Sequence, residues 1–570
     1  MDHNNLDKTV STAPMLPKEG DEKMVIITPS NGVGKILIRE DTILANLHGC
    51  AGCRGQLSCG GVKKQWSVLC WGKQPEKKYY CLLLLLSTTF VLSLIGTIFF
   101  CFTNTINDAI LSSMVIRNNS LAYKIWRRPN VQPLMKVHLF NYTNWEEVKE
   151  GREEKLRVEE VGPYVYSQQL ERVNIKFDED KLSFQERNHF QFLPDKSTGA
   201  QFDQVVVPNL PLLGVISKVL SMNSIIQLTL SSSFILANHP NAFLKLPVQR
   251  FLWGYDDSII DTAKPFLSLG GQLKFEKFGL LVTKNGTVSE RFTINTGEYD
   301  KDRMNIIEKF DGQDQLNYWG STDCNSIEAS DGSIFPPSQL DKNQTLHVFF
   351  PNLCRRLPFK FEKEVEISDG IQLYRYRMPL DVFDDPVHNP DNQCYCEIDT
   401  ATCPPRGVIN VTDCTMGAPA LVSFPHFYLG DPQLREDVLG LKPDPLKHDS
   451  YIDLHPTLGI ALSGKSSLQI NIQVRKSDMF SSVSYLKQGL ILPVAWIEMG
   501  VEELPEGLRS LVYHGTYSTA AAQLGLTVTC IIAFIGSGIC LFCTFVRRKQ
   551  KPCATLKVRI PTETELKQAT

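Results

Sequence analysis

Five Asn-X-Ser/Thr sequons, at Asn118, Asn141, Asn285, Asn343 and Asn410, all fall between two uncharged hydrophobic stretches, residues 81–102 and 521–546. An acceptor asparagine has meaning only in a lumenal or extracellular space. The distribution therefore makes residues 103–520 one external domain, tethered to a membrane at both ends.

The charges beside the two stretches agree. About 22 residues at about 1.5 Å each reach about 33 Å, enough to cross a hydrocarbon core of about 30 Å. Lys73, Lys77 and Lys78 precede the first stretch, and Arg547, Arg548, Lys549 and Lys551 follow the second. Basic residues stay on the cytoplasmic side, so residues 1–80 and 547–570 are expected to be cytoplasmic tails. The first stretch lies too far into the chain and is too long for a cleaved signal peptide, which favours an uncleaved anchor. A third apolar run, residues 205–237, carries only Lys218 as a charge. It also holds Pro208, Pro211, Asn223 and Ser231-Ser232-Ser233, and spanning there would put the later sequons on the wrong side. It reads instead as partly exposed apolar helices of the outer domain.

A net charge of −3 gives no basic excess of the kind nucleic-acid binding needs. Within the external part, Cys324, Cys354, Cys394, Cys396, Cys403 and Cys414 form an even set that reads as three disulfides, in any of many pairings. Cys394-Tyr-Cys396 lacks zinc spacing. Cys81, Cys540, Cys543 and Cys553 sit near cytoplasmic membrane boundaries, where palmitoylation is an expectation beside the simpler role of small apolar residue. In the N-terminal tail, Cys50, Cys53, Cys59 and Cys70 include one C-x2-C pair but lack a second, so zinc is disfavoured. That tail is rich in mixed charge, Pro and Gly and is expected to be mostly disordered.

The external part shows period-two alternation at Val173-Asn-Ile175-Lys-Phe177, Leu182-Ser-Phe184, Phe190-Gln-Phe192, Ile371-Gln-Leu373 and Leu468-Gln-Ile470-Asn-Ile472-Gln-Val474. Such runs indicate half-buried strands of an antiparallel, barrel-like core. Between about 208 and 262 the pattern is helical. The expected fold class is thus α+β, with one outer domain.

Catalytic signatures are missing from the sequence: no G-x-S-x-G, H-E-x-x-H, P-loop or G-x-G-x-x-G occurs. His426 and His455 read as buried, hydrogen-bonded structural histidines, and Asp256-Asp257 and Asp384-Asp385 as solvated or capping residues of turns. An enzyme, a metal and a cofactor are therefore not expected.

Glu159-Glu160-Val-Gly162-Pro163-Tyr164-Val-Tyr166, Leu252-Trp253-Gly254-Tyr255-Asp-Asp257 and Ser333-Ile-Phe335-Pro336-Pro337 resemble motifs of the class B scavenger receptors. So do Asn389-Pro390-Asp391-Asn-Gln-Cys394-Tyr-Cys396, Ser423-Phe424-Pro425-His426-Phe427 and Tyr451-Ile-Asp453-Leu-His-Pro456-Thr-Leu-Gly459, in the family's order. The resemblance covers essentially residues 80–550. It implies an antiparallel β-barrel ectodomain with an apical helical bundle and two membrane anchors, and a lipid tunnel running toward the membrane. It also implies the pairs Cys324–Cys394, Cys354–Cys414 and Cys396–Cys403. Residues 205–237 then fall at the apex, which makes Leu210, Leu212, Leu213, Ile216, Lys218, Leu220, Ile225 and His239 candidate ligand contacts, as exposed apolar patches mark binding.

The family's fatty-acid and modified-lipoprotein binders carry lysines some way before the Leu-Trp-Gly-Tyr motif, at the place where this chain has Ala237-Asn238-His239, with Lys218, Lys245 and Arg250 nearby. Steering of anionic ligands is weakened accordingly. Among the expected partners, which are fatty acids, sterols or their esters, carotenoids and lipoprotein-like particles, the neutral lipids gain weight. A homo-oligomer stays open. The C-terminal tail lacks an acidic-dileucine signal, and Glu22-Lys-Met-Val-Ile26-Ile27 carries isoleucines where leucine is usual. The plasma membrane leads over endosomes and lysosomes. Competing readings are a docking or phagocytic receptor without lipid conduction, a two-span channel subunit with Gly536-Ser537-Gly538 in its second span, and an ectoenzyme.

Overall fold

The computed structural model describes residues 75–220, 222–236, 240–261, 277–367, 370–396, 403–415, 417–501 and 504–549. His239, Cys553 and the N-terminal cysteines lie outside these. The chain divides into two units, residues 90–536 and the chain ends 1–89 with 537–570.

The helices in chain order are α1 (Pro75–Phe102), α2 (Thr105–Met114), α3 (Leu121–Arg127), α4 (Trp145–Lys149) and α5 (Leu210–Leu220). They continue with α6 (Ser224–Leu236), α7 (Val248–Trp253), α8 (Pro432–Asp437), α9 (Glu506–Tyr513) and α10 (Thr519–Lys549). Two helical stretches, Lys77–Phe102 and Glu506–Arg547, are long and apolar enough to cross a membrane. Within residues 90–536 the two long helices touch: Phe90 stacks on Phe534 at 4.7 Å, and a Cβ on Gly96 would come within 2.7 Å of Cys530 Sγ. Small residues at such crossings allow backbones to approach closely.

Strands β1 (Leu134–Tyr142), β2 (Leu156–Asp178) and β3 (Lys181–Phe192) precede a separate ribbon of β4 (Gln204–Pro208) and β5 (Phe243–Pro247). Next come β6 (Gly286–Thr287), β7 (Phe292–Asn295), β8 (Ile307–Phe310), β9 (Leu346–Phe350), β10 (Arg355–Ile367) and β11 (Ile371–Arg377). The last are β12 (Val408–Asn410), β13 (Ala420–Ser423), β14 (Val438–Leu439), β15 (Tyr451–Leu454), β16 (Ala461–Gln473) and β17 (Ile491–Val501). The main sheet runs β8-β7-β3-β2-β1-β17-β16-β15-β11-β10-β9, antiparallel throughout that path, while the short β14 joins β2 in parallel.

The two edges of this path come together at Ser330. It bridges Ile306 beside β8 and Val348 in β9, its N–H donates to His347 O, its carbonyl accepts from Phe349 N–H, and the Phe310 and Phe349 rings meet at 5.3 Å. An almost closed sheet leaves little unpaired edge. Two motif glycines serve close approach: Gly162 (φ +115°) faces Val137 O, and Gly459 (φ +70°) faces Phe335 O, where a Cβ would sit 2.7 and 1.9 Å away.

The strand pattern follows the sequence alternation, with Leu182 and Phe184 buried on β3 and Ile371 and Leu373 on β11. The expected helical region 208–262 is broken by β5, which pairs antiparallel with β4. α5 and α6 have 11 and 13 residues, about 20 Å at most, too short to span a bilayer core of about 30 Å. Disulfides join Cys324 to Cys394, Cys354 to Cys414 and Cys396 to Cys403, the pairs the resemblance implies.

Candidate functional site

Both helices of the apolar run are started by asparagine. Asn209 Oδ1 accepts from Leu212 N–H, and Asn223 Oδ1 accepts from Ile226 N–H, each satisfying a first-turn donor. Gln227 Nε2 donates to Met222 O, tying the start of α6 to the turn behind it.

The two helices differ in what they present. On α5, Leu212, Leu213 and Ile216 are fully buried in the main apolar core, with Val137, Leu139 and Phe251 in the same cluster. The expected exposure fails there, because an 11-residue helix apolar on nearly every side is absorbed by the core. Leu210, Lys218 and Leu220 are half-buried. On α6 the expectation holds. Ile225 is 78% and Leu228 62% exposed, one turn apart on a helix that carries no charged residue.

A second apolar surface lies on the sheet, and the sequence did not single it out. Across β16 and β17, Leu468 stands opposite Ile497, Ser466 opposite Met499 and Ile470 opposite Ala495. β1 continues the row, with Val137 opposite Ile497 and Met135 opposite Met499. Strand side chains alternate between faces, so these share the core-facing side. Leu468, Ile470, Ile497 and Met499 nevertheless remain partly accessible.

The opposite face of β16 is the reverse. Ser467, Gln469 and Asn471 are completely buried beneath the segment that follows β13: Gln469 Oε1 accepts from His426 N–H, Asn471 Nδ2 donates to Ser423 Oγ, and Ser450 Oγ accepts from Ser467 N–H. A sheet with its polar side sealed and its apolar side partly open is suited to an apolar guest rather than to water.

Beside that sealed face lies a cluster of ionisable side chains. Glu160 on β2 receives His138 Nδ1 at 2.6 Å, His426 Nε2 at 2.8 Å and Trp496 Nε1 at 3.3 Å. Burial pushes its carboxyl up, but the two histidine hydrogen bonds outweigh that and hold it far below the usual carboxylate range. The His448 ring stacks on His426 at 4.8 Å. Burial first, and the neighbouring His426 second, push His448 down to about 4.

His426 and His455 are buried and hydrogen-bonded, as their sequence contexts indicate. Asp257 and Asp385 accept from backbone N–H groups two residues on, but Asp384 departs from the capping expectation: it is buried and paired with Arg406 Nε at 3.1 Å. A small cleft between Arg355, Asp384, Tyr395 and Asn410 has a cavity of about 20 Å³, room for little more than a water molecule, so it suits no lipid. Among the described residues, no group of His, Cys, Asp and Glu could hold a metal ion.

Asn118, Asn285 and Asn343 are exposed, whereas Asn141 and Asn410 are half-buried and Asn141 Oδ1 accepts from Val206 N–H. Cys81 and Cys540 are exposed and Cys543 half-buried.

Comparison with known proteins gives a consistent result. The CD36 family profile matches residues 85–547. Scavenger receptor class B member 1 of Mus musculus is 32% identical over 395 residues, covering 69% of this chain and 75% of that protein. Lysosome membrane protein 2 of Homo sapiens is 31% identical over 440 residues, covering 75% and 87% respectively. The same protein of Mus musculus is 30% identical over 442 residues, with the same coverage.

Proposed function

The chain belongs to the CD36 family, and on that premise we propose that it is a membrane receptor that gathers lipid, or lipid-bearing particles, and passes the lipid through the interior of its sheet to the bilayer. The observation that carries this reading is the Leu468–Ile497 row, apolar and partly accessible on the core side of an almost closed sheet. Each buried Å² of apolar ligand surface contributes about 25 cal/mol, so transfer along such a lining needs no chemistry. Ile225 and Leu228 on α6 form the collecting surface.

The cargo we favour is neutral: sterols, their esters or carotenoids. α6 offers no charge that would select an anionic head group, and apolar side chains alone do not distinguish one carboxylate from another. Both termini are cytoplasmic in this reading, residues 103–520 are external and glycosylated, and the protein works at the plasma membrane.

Photo-crosslinking tests the path. Full-length protein in cells is loaded with photoactivatable sterol and fatty-acid probes, and the labelled peptides are mapped. Sterol crosslinks in the peptides holding Leu468–Ile470 and Ile497–Met499 are expected. Label confined to the two long apolar helices would mean ordinary bilayer contact and would remove the interior route. Label confined to α6 would leave a docking receptor without conduction.

A further inference from the structure

The segment 424–450 lies over the polar face of β16 and is held there by two histidines acting in the same unusual way. His426 Nδ1 accepts from Lys442 N–H at 3.0 Å, and His448 Nδ1 accepts from Asp444 N–H at 3.0 Å. A neutral imidazole can accept through one nitrogen, whereas an imidazolium donates through both. Protonating either ring therefore sets two N–H groups against each other, inside a site where each ring is 2% exposed. Both contacts fall within three residues, 442–444, and His426 and His448 are stacked face to face, so charge on one ring disfavours charge on the other.

We propose that residues 442–450 form an acid-released strap: closed over the sheet while His426 and His448 are neutral, and opened at its 442–444 end, with the Asp449 end still tied to the sheet, when they are protonated in an acidic compartment. The proposal stands apart from the lipid reading, since the strap covers the polar face rather than the apolar row.

The charged groups around the strap set its behaviour. From β2, Glu160 faces His426, and from β1, His138 faces Glu160. On the strap itself are Lys442, which is exposed, Asp444, Lys447 and Asp449, with Asp449 held by Lys465 of β16 at 2.9 Å and by Arg377 of β11 at 3.3 Å. Lys465 Nζ also donates to Lys447 O. These ion pairs anchor the far end while residues 442–444 lose their acceptors. His448 titrates well below an ordinary histidine in the closed state, which is the sign required: the open strap takes up a proton the closed one refuses.

The test is hydrogen exchange on the full-length chain in lipid nanodiscs at pH about 7.4 and about 5, corrected for the intrinsic pH dependence of exchange. Protection of the Lys442 and Asp444 amides should fall by about tenfold or more at the lower pH, while the β1–β17 pairing keeps its own. The variant H426N/H448N places an amide oxygen near each Nδ1 position, and that oxygen accepts a hydrogen bond at any pH. Its strap should stay protected at both pH values. Should that double variant not fold, H448N alone is read at Asp444, where the same pH independence is expected. Unchanged protection of the wild-type strap at pH about 5, or an acid response that survives in the variants, would overturn the proposal.

Discussion

Arg375 and Asp453 stand directly opposite each other on β11 and β15 and form a two-pronged ion pair, Nε to Oδ1 at 2.7 Å and Nη2 to Oδ2 at 2.8 Å. The partners are unequally buried: the Asp453 side chain is 1% exposed and that of Arg375 20%, with the guanidinium also 3.8 Å from the Tyr451 ring. Removing the arginine strands a buried carboxylate, and removing the aspartate leaves a cation with an aromatic face and a path to water. R375A should therefore destabilise by about 3–5 kcal/mol and D453A by less, about 1–3 kcal/mol. Urea denaturation of the purified chain, followed by tryptophan fluorescence, measures both. Equal losses would show that burial asymmetry does not govern this pair.

The apolar run yields a contrast between two neighbouring helices. L212D or I216D places a charge in the packed core and should abolish folding, seen as loss of the protein from the cell surface. I225D and L228D change side chains that are mostly in water, so surface expression should persist while sterol uptake drops. If I225D/L228D cells take up sterol normally, α6 is not where cargo is collected.

Acid stability depends on His455 as well. Its ring is buried, Nδ1 accepts from the Thr457 and Leu458 N–H groups, and burial pushes it down to about 4. The folded state thus binds fewer protons than the unfolded one below the ordinary value of about 6.5. The contribution of this histidine is fully present above pH about 6.5 and is lost as pH falls toward 4, amounting to about 2 kcal/mol at pH about 5. H455N, whose amide oxygen can receive the same turn amides, should flatten that part of the pH dependence. Melting curves at pH about 7.5 and about 5 compare the two proteins, and parallel losses would discount the role of His455.

What could be read in the sequence and what could not follows from distance along the chain. The alternation around Phe184 and Ile371 is a local signal, and those strands formed where it stood. The break at Phe243–Pro247 was hidden because a five-residue strand inside a helical stretch declares itself only through its partner, β4. Whether Leu212 faces core or water could not be told from hydrophobicity, since α5 is apolar nearly all round. The pairing of Glu160 with His426 joins residues 266 apart, and the openness beside Leu468 depends on strands β1, β16 and β17 together.

The three disulfides should separate by loop length. Cys324–Cys394 and Cys354–Cys414 span 70 and 60 residues, while Cys396–Cys403 spans 7. In the chain-entropy account the long loops are worth about 4 kcal/mol each and the short one about 2 kcal/mol. Packing adds to the difference, because Cys324 and Cys354 are buried with Trp319 and Phe349 in one apolar cluster, whose closure their bonds help to hold. C324A/C394A and C354A/C414A should be retained inside the cell, and C396A/C403A should reach the surface with a modestly lowered melting temperature. Surface biotinylation and melting curves of the purified variants make the comparison. A short-loop variant as damaging as the long-loop ones would show that the loop it closes has a local role that chain entropy does not describe.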